Sequence, residues 1–342
     1  MKLMYCQVFF WAAMTMCLDV FGGGIIFALL NPSVRLKRTD SVHGFEPYHN
    51  PMVILPLKTN FGTNRSGAIM ALSNPISLFS QSLFALPLYD MIAATPKAGY
   101  EAIELACRAP HFDPHTAKKE PERVVEAIRL SELTVSALSL FSSFTDPDRL
   151  EDEIKAAERL IRQAPLFGTK IVKITPGEPG SAAATEAQWD SLRQALGRLV
   201  PVAADTGVKL ACETHMRQLT DTLAGTLRLL DMAPSETLGL TIDFSNMTFA
   251  GEIMSEVFDA LVPRMLNAHV KNGTIGDGDV WHFKPLDTGW TDYNEVMRLI
   301  HASGYTGYLT VECLGQDAKE MPIKTAQRDL EMLKEFMKLA VI

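Results

Sequence analysis

The chain has little cysteine and no pattern in what it has. Cys6, Cys17, Cys107, Cys212 and Cys313 form neither a CxxC pair nor a regular ladder, which excludes a disulfide framework or a zinc finger as the organising device. The last three lie in or beside β-branched and aliphatic segments and read as buried, reduced thiols. Basic charge is also in short supply. Lys and Arg number 32 against 40 Asp and Glu, for a net charge of −8 and a pI near 5.5. That balance leaves no electrostatic footprint for DNA or RNA, and small neutral substrates suit it better. With 47% hydrophobic and 21% charged residues, the composition is that of a globular chain with a large core.

Uninterrupted apolar runs are missing too. Residues 3–18 and 20–30 are apolar, but Asp19 separates them and Gly22, Gly23 and Gly24 break the second. Lys2 is the only early positive charge, no small-x-small cleavage site stands out, and a carboxylate in mid-span is costly in a bilayer. Residues 31–69 have neither helical nor strand period. Residues 1–69 are therefore read as a poorly specified extension: either an anchor or sequence upstream of a natural start at Met70. Without an anchor, the chain is expected in the cytoplasm and off the membrane. Residues 70–342 are the expected folded domain.

From Ile76 onward, short aliphatic runs alternate with longer segments of helical period, the pattern of repeated βα units around a parallel sheet. Strand segments fall at 76–80, 102–107, 135–141, 170–175, 208–213, 238–243, 266–271 and 308–312. Helical segments fall at 87–97, 120–132, 147–164, 186–205, 219–232, 252–262, 292–302 and 318–339. Asp146 before Pro147, and Thr291 ahead of Asp292 and Glu295, are helix starts. Gly99, Gly168, Gly207 and Gly304 each stand between a helix and the next strand. Eight such units predict a (β/α)₈ TIM barrel, a fold that commonly takes about 250 residues.

Strand alternation then separates two faces. Leu210 and Cys212 oppose Ala211 and Glu213; Leu240 and Ile242 oppose Thr241 and Asp243; Ala268 and Val270 oppose Asn267, His269 and Lys271; Leu309 and Val311 oppose Thr310 and Glu312. The aliphatic side must pack on the helices, so the polar side faces the lumen. Glu213, Asp243, His269 and Glu312 then stand at the carboxyl ends of four consecutive strands, the rim where barrels of this type build active sites. Three converging carboxylates repel one another unless a cation joins them. Their donor set suits one divalent metal ion, Mn²⁺ first, with Mg²⁺, Co²⁺ and Zn²⁺ as alternatives.

The stretch ISLFSQSLFALPLYDMIAATPKAGYEAIEL (76–105), followed by CETH (212–215), TIDFSN (241–246), NAHVKN (267–272) and YLTVECLG (308–315), resembles the xylose isomerase-like barrel superfamily, the sugar phosphate isomerase/epimerase family. The resemblance runs from Met70 to the C-terminus. It implies metal ligation by Glu213, Asp243, His269 and Glu312, with Glu213 and Glu312 as the catalytic carboxylates. The sequence departs from the family in two places. Where the family often has DxxH, Asn246 takes the histidine's place, which leaves a polar contact to a hydroxyl but removes a second metal site. Leu219 and Ile275 occupy positions where ketohexose epimerases carry further substrate contacts.

Other rim residues are expected to meet substrate: His215, two residues after Glu213; Lys271, two after His269; Glu104 on the second strand; Lys173 on the fourth, among the carboxylates; and His282 and His111 on loops. Trp281 and Phe283, in the loop after the seventh strand, are candidates for stacking on a sugar ring. Trp290 is read as packing. The first functional expectation is a metal-dependent isomerase or epimerase of a sugar or polyol, working through an enediolate with Glu213 and Glu312 as acid and base. The alternative is a lyase that dehydrates a keto-sugar or keto-inositol. Less favoured are an apurinic endonuclease-like phosphodiesterase, for which the charge and Asn246 are wrong, and a non-catalytic sugar-binding barrel. The expected partner is a small sugar or polyol, with no nucleic acid; a homo-oligomer is compatible with everything above.

Overall fold

The computed structural model describes residues 72–114, 121–233 and 236–340. The expected extension at 1–69, the Met70 start, the apolar runs, Cys6 and Cys17 lie outside them. Among the described residues no helix is long and apolar enough to cross a membrane.

The barrel strands are β1 (Ile76–Phe79), β2 (Ala102–Cys107), β3 (Thr134–Leu140), β4 (Ile171–Ile174), β5 (Lys209–Glu213), β6 (Leu238–Asp243), β7 (Met265–Val270) and, after an inserted hairpin, β10 (Leu309–Val311). They close in the order β1-β10-β7-β6-β5-β4-β3-β2, every neighbour parallel. This is the (β/α)₈ barrel expected from the repeat. Parallel neighbours need crossovers, and the helices that provide them bury the aliphatic strand faces. Leu210, Leu240, Ile242, Ala268, Val270, Leu309 and Val311 are all fully buried, each larger side chain contributing about 1.5–3 kcal/mol by leaving water.

The helices are α1 (Leu88–Ala94), α2 (Pro121–Leu130), α3 (Leu150–Gln163), α4 (Glu186–Thr206), α5 (Leu223–Met232), α6 (Phe244–Phe249), α7 (Met254–Leu261), α8 (Tyr293–Ser303), α9 (Gln316–Glu320) and α10 (Pro322–Leu339). Gly207 (φ 67°) ends α4 in the left-handed conformation that glycine adopts without strain. Several starts differ from expectation, three of them for a visible reason. α3 begins at Leu150 because Asp146 turns back to the Asp148 amide (3.0 Å). α8 is capped by Asp292, whose Oδ1 accepts from Asn294 and Glu295, while Thr291 is drawn inward to Ser245 (2.8 Å). The last helical segment divides into α9 and α10, with Pro322 opening the second.

Two elements were not expected. α6 follows β6 directly, and Asp243 caps it. The segment after β7, expected as a loop, pairs into an antiparallel hairpin of β8 (Asn272–Gly276) and β9 (Val280–Lys284).

Candidate metal-binding active site

The register places the functional side chains at one height. Asp243 is level with His269 across β6–β7, and Thr310 with His269 across β10–β7. One ligand atom each from Glu213, Asp243 and His269 lies within 4.8 Å of the others, and all three residues are at most 3% exposed. Among the described residues this is the one such convergence of three or more His, Cys, Asp or Glu donors. Glu312 is outside the group; its Oε2 lies 2.8 Å from Lys271 Nζ, which in turn is 2.8 Å from Asp243 Oδ2.

The rest of the lumen fixes these groups. Asn267 donates to Glu104 Oε2 (2.7 Å) and accepts from Thr310 (3.0 Å). His269 Nε2 lies 3.0 Å from both Glu104 oxygens. The Lys173 ammonium donates to Glu213 Oε2 and stands 5.2 and 5.1 Å from the ring centroids of Phe79 and Phe141. Asp243 is held at both ends: its amide donates to Thr214 Oγ1 (2.9 Å), and its Oδ1 accepts from the Asn246 amide (2.8 Å).

Among the buried polar atoms without a hydrogen bond, two belong to the converging donors, Asp243 Oδ2 and His269 Nδ1. Their charged neighbours are Lys271 Nζ, 2.8 Å from the first, and Glu213 Oε1, 3.4 Å from the second. A buried polar atom without a hydrogen bond is costly, and both residues converge with Glu213 on one point. With Nε2 committed to Glu104, Nδ1 is the nitrogen available to a cation, the usual carboxylate–histidine–metal arrangement. The residues fit a divalent ion.

The charges follow from packing. Burial pushes the Glu213 carboxyl up, but Lys173 and His269 outweigh it and hold it well below the usual carboxylate range. Burial raises Asp243, with Lys271 only partly offsetting it. Burial alone would lower His269; Glu104 and Glu213 instead raise it to about 10 in the ion-free pocket. The carboxylates overcome the same burial penalty at Lys173 and Lys271, both of which are raised.

The remaining expected site residues are more scattered. His215 is half-buried, its Nδ1 2.8 Å from the Met216 carbonyl, with its ring against Trp281 (6.4 Å). Asn246 turns its amide to the Thr214 carbonyl (3.0 Å). His282 is exposed on β9. His111 spends both nitrogens on Ser80 Oγ (3.0 Å) and the Leu86 carbonyl (3.2 Å), a packing role in place of the expected substrate contact. Sequence reasoning missed Tyr293, whose hydroxyl accepts from the Lys271 amide (3.0 Å) and donates to its carbonyl (2.5 Å). It also missed Arg217, which anchors the hairpin through the Asp279 carbonyl (2.7 Å) and stacks on Trp281 (5.1 Å).

A family profile described as "Xylose isomerase-like TIM barrel" matches residues 92–336. The chain belongs to the xylose isomerase-like TIM barrel family. Among curated members of this family it is 23% identical over 263 residues to a 3-dehydroshikimate dehydratase of Bacillus anthracis, covering 71% of this chain and 93% of that one. It is 22% identical over 275 residues to an inosose dehydratase of Clostridium perfringens, covering 70% and 86%. The fold also matches a xylose isomerase-like TIM barrel protein from Mycobacterium smegmatis in complex with magnesium (TM-score 0.64, 18% identity, 79% of this chain and 98% of that one). The family is one of enzymes, and the pocket above is its candidate divalent-metal site.

Proposed function

We propose that the chain is a divalent-metal-dependent lyase that removes water from a polyhydroxy ketone. The observation that supports the reading is the convergence of one ligand atom each from buried Glu213, Asp243 and His269 within 4.8 Å at the strand ends. Glu213, Asp243 and His269 would hold the ion, with Glu312 as a fourth ligand, and Mn²⁺ or Mg²⁺ suits this oxygen-rich set. When bound, the ion supplies Lewis-acid polarisation of a substrate carbonyl.

The protein's own groups divide the remaining work unequally. Glu213 has one oxygen on Lys173 and the other toward His269, so it serves as a ligand and a fixed negative charge and is poorly placed to exchange protons. Glu312 pairs through Oε2 with the mobile end of Lys271, which leaves it able to take the proton beside the carbonyl. Lys271 then brings positive charge to the oxygen where negative charge develops. His215, whose Nδ1–H is donated to Met216, keeps the Nε2 lone pair and can relay a proton. In the elimination a C–H and a C–O bond break and a C=C bond forms; the proton that Glu312 takes from carbon passes through His215 Nε2 to the departing hydroxide, which leaves as water.

Return of the proton to carbon would instead give the isomerase or epimerase first expected. Elimination is favoured by the near full-length likeness to two dehydratases and by Leu219, which is fully buried where epimerases carry a substrate contact. The test is to incubate the Mn²⁺ and Mg²⁺ forms with 3-dehydroshikimate, inosose, ketopentoses and ketohexoses in D₂O. Loss of one water from a keto-acid or keto-inositol is expected by mass and NMR. Epimerised ketose with solvent deuterium and no dehydration would replace this reading with the isomerase.

A further inference from the structure

Arg108 follows β2 at the catalytic rim. It is exposed, yet its guanidinium is held between two aromatic rings, 4.8 Å from the centroid of Phe141 and 6.0 Å from that of Phe84. The guanidinium makes no hydrogen bond or ion pair with any described residue. An arginine that has given up rotamer freedom to two rings and still has its donors open is pre-organised for a planar anion, since stacking uses the faces of the guanidinium and leaves its edge for bidentate contacts.

The aromatic wall ties this group to the site. The Phe141 ring that carries Arg108 stacks on Phe79 (5.9 Å, 14°) and also faces the Lys173 ammonium; Phe79 in turn touches the His269 ring (5.1 Å). Arg108 is therefore one ring away from Lys173 and two rings away from His269. Within the pocket the charges have internal partners: Glu104 with His269, Glu213 with Lys173, Asp243 and Glu312 with Lys271. The uncompensated cation at this part of the rim is Arg108.

We propose that Arg108 is the specificity-determining residue for an anionic substituent, so that the substrate is a hydroxy-ketone carrying a carboxylate or a phosphate rather than a neutral polyol. This rests on the hydroxy-ketone lyase reading and narrows its substrate class.

The experiment measures equilibrium binding to the metal-loaded protein by calorimetry, so that it does not depend on turnover. The probes are shikimate, its methyl ester and a ketose phosphate, each against wild type, Arg108→Gln and Arg108→Lys. Shikimate should bind the Gln variant about 10- to 100-fold more weakly, the range for a lost charge-assisted contact. The ester should be unaffected and the Lys variant intermediate, with metal content equal in all three. A loss confined to the ketose phosphate also supports the anion site and assigns it to phosphate. Equal affinity of Arg108→Gln and wild type for both anions, or equal losses for acid and ester, overturns the proposal. If acid-selective binding is lost in the variant but no keto-acid is dehydrated by wild type, the anion site stands and the lyase reading fails.

Discussion

His269 Nε2 lies 3.0 Å from both carboxylate oxygens of Glu104, a residue 165 positions earlier in the chain. A carboxylate accepts and never donates, so Nε2 carries the proton and Nδ1 is left for a cation. Glu104→Gln places an amide there, which can donate to Nε2 and favour the opposite tautomer. Metal affinity by competition titration should fall about 10- to 100-fold. Unchanged affinity would mean that Glu104 does not orient the ligand.

Alanine at Asp243 or His269 should empty the site outright, because each removes one of three converging donors. Metal content after dialysis is the readout, and near-stoichiometric ion in either variant would show the ligand assignment to be wrong.

Glu312 stands apart from those three and touches Lys271. Glu312→Gln should therefore retain most of the metal yet lose turnover by roughly 10²- to 10⁴-fold, the usual cost of a missing general acid or base. Near wild-type turnover in a metal-replete variant would remove Glu312 from proton transfer.

His111 sets a pH limit on stability. Burial, only partly opposed by its contact with the Leu86 carbonyl, lowers it from 6.5 to about 4. Between those values the unfolded chain binds a proton that the folded chain refuses, so stability is full above pH 6.5 and falls as pH drops toward 4. The loss should approach roughly 3 kcal/mol. Thermal melts at pH 7 and pH 4.5 should show a smaller gap for His111→Gln than for wild type; equal gaps would place the acid sensitivity elsewhere.

A chain beginning at Met70 should fold and bind metal, because all eight barrel strands lie downstream. A far-ultraviolet dichroism melt decides it: a truncated chain without a cooperative transition would show that the barrel needs what precedes it.

The barrel was legible because its signal is repeated and one-dimensional. Aliphatic residues such as Leu240 and Ile242 alternate with Thr241 and Asp243, and each strand repeats the lesson at a fixed period. The rim carboxylates were legible for the same reason, as ionisable residues on a face that should be apolar. What escaped depends on who meets whom across the barrel. Nothing near Glu104 in sequence marks His269 as its partner, and Tyr293 looks like any aromatic residue at the start of a helix. The hairpin was obscured by GDGD at its turn, which reads as loop. The alternating exposure of Val280, Trp281, His282, Phe283 and Lys284 was nevertheless a strand signature. α6 is only six residues long, too short to show a helical period.

The two interior lysines bear on how the protein matures. Lys173 and Lys271 travel with the polypeptide and already offset much of the charge of Glu213, Asp243 and Glu312 without help from solution. Newly made chains should thus fold without an ion as a template, in contrast to domains that collapse only around zinc. Loading would then be an exchange in which an ion takes the place of the Lys271 amine beside Asp243. Chelators should accordingly silence this barrel while leaving it standing, ready to be recharged with whichever divalent ion the cell has to spare.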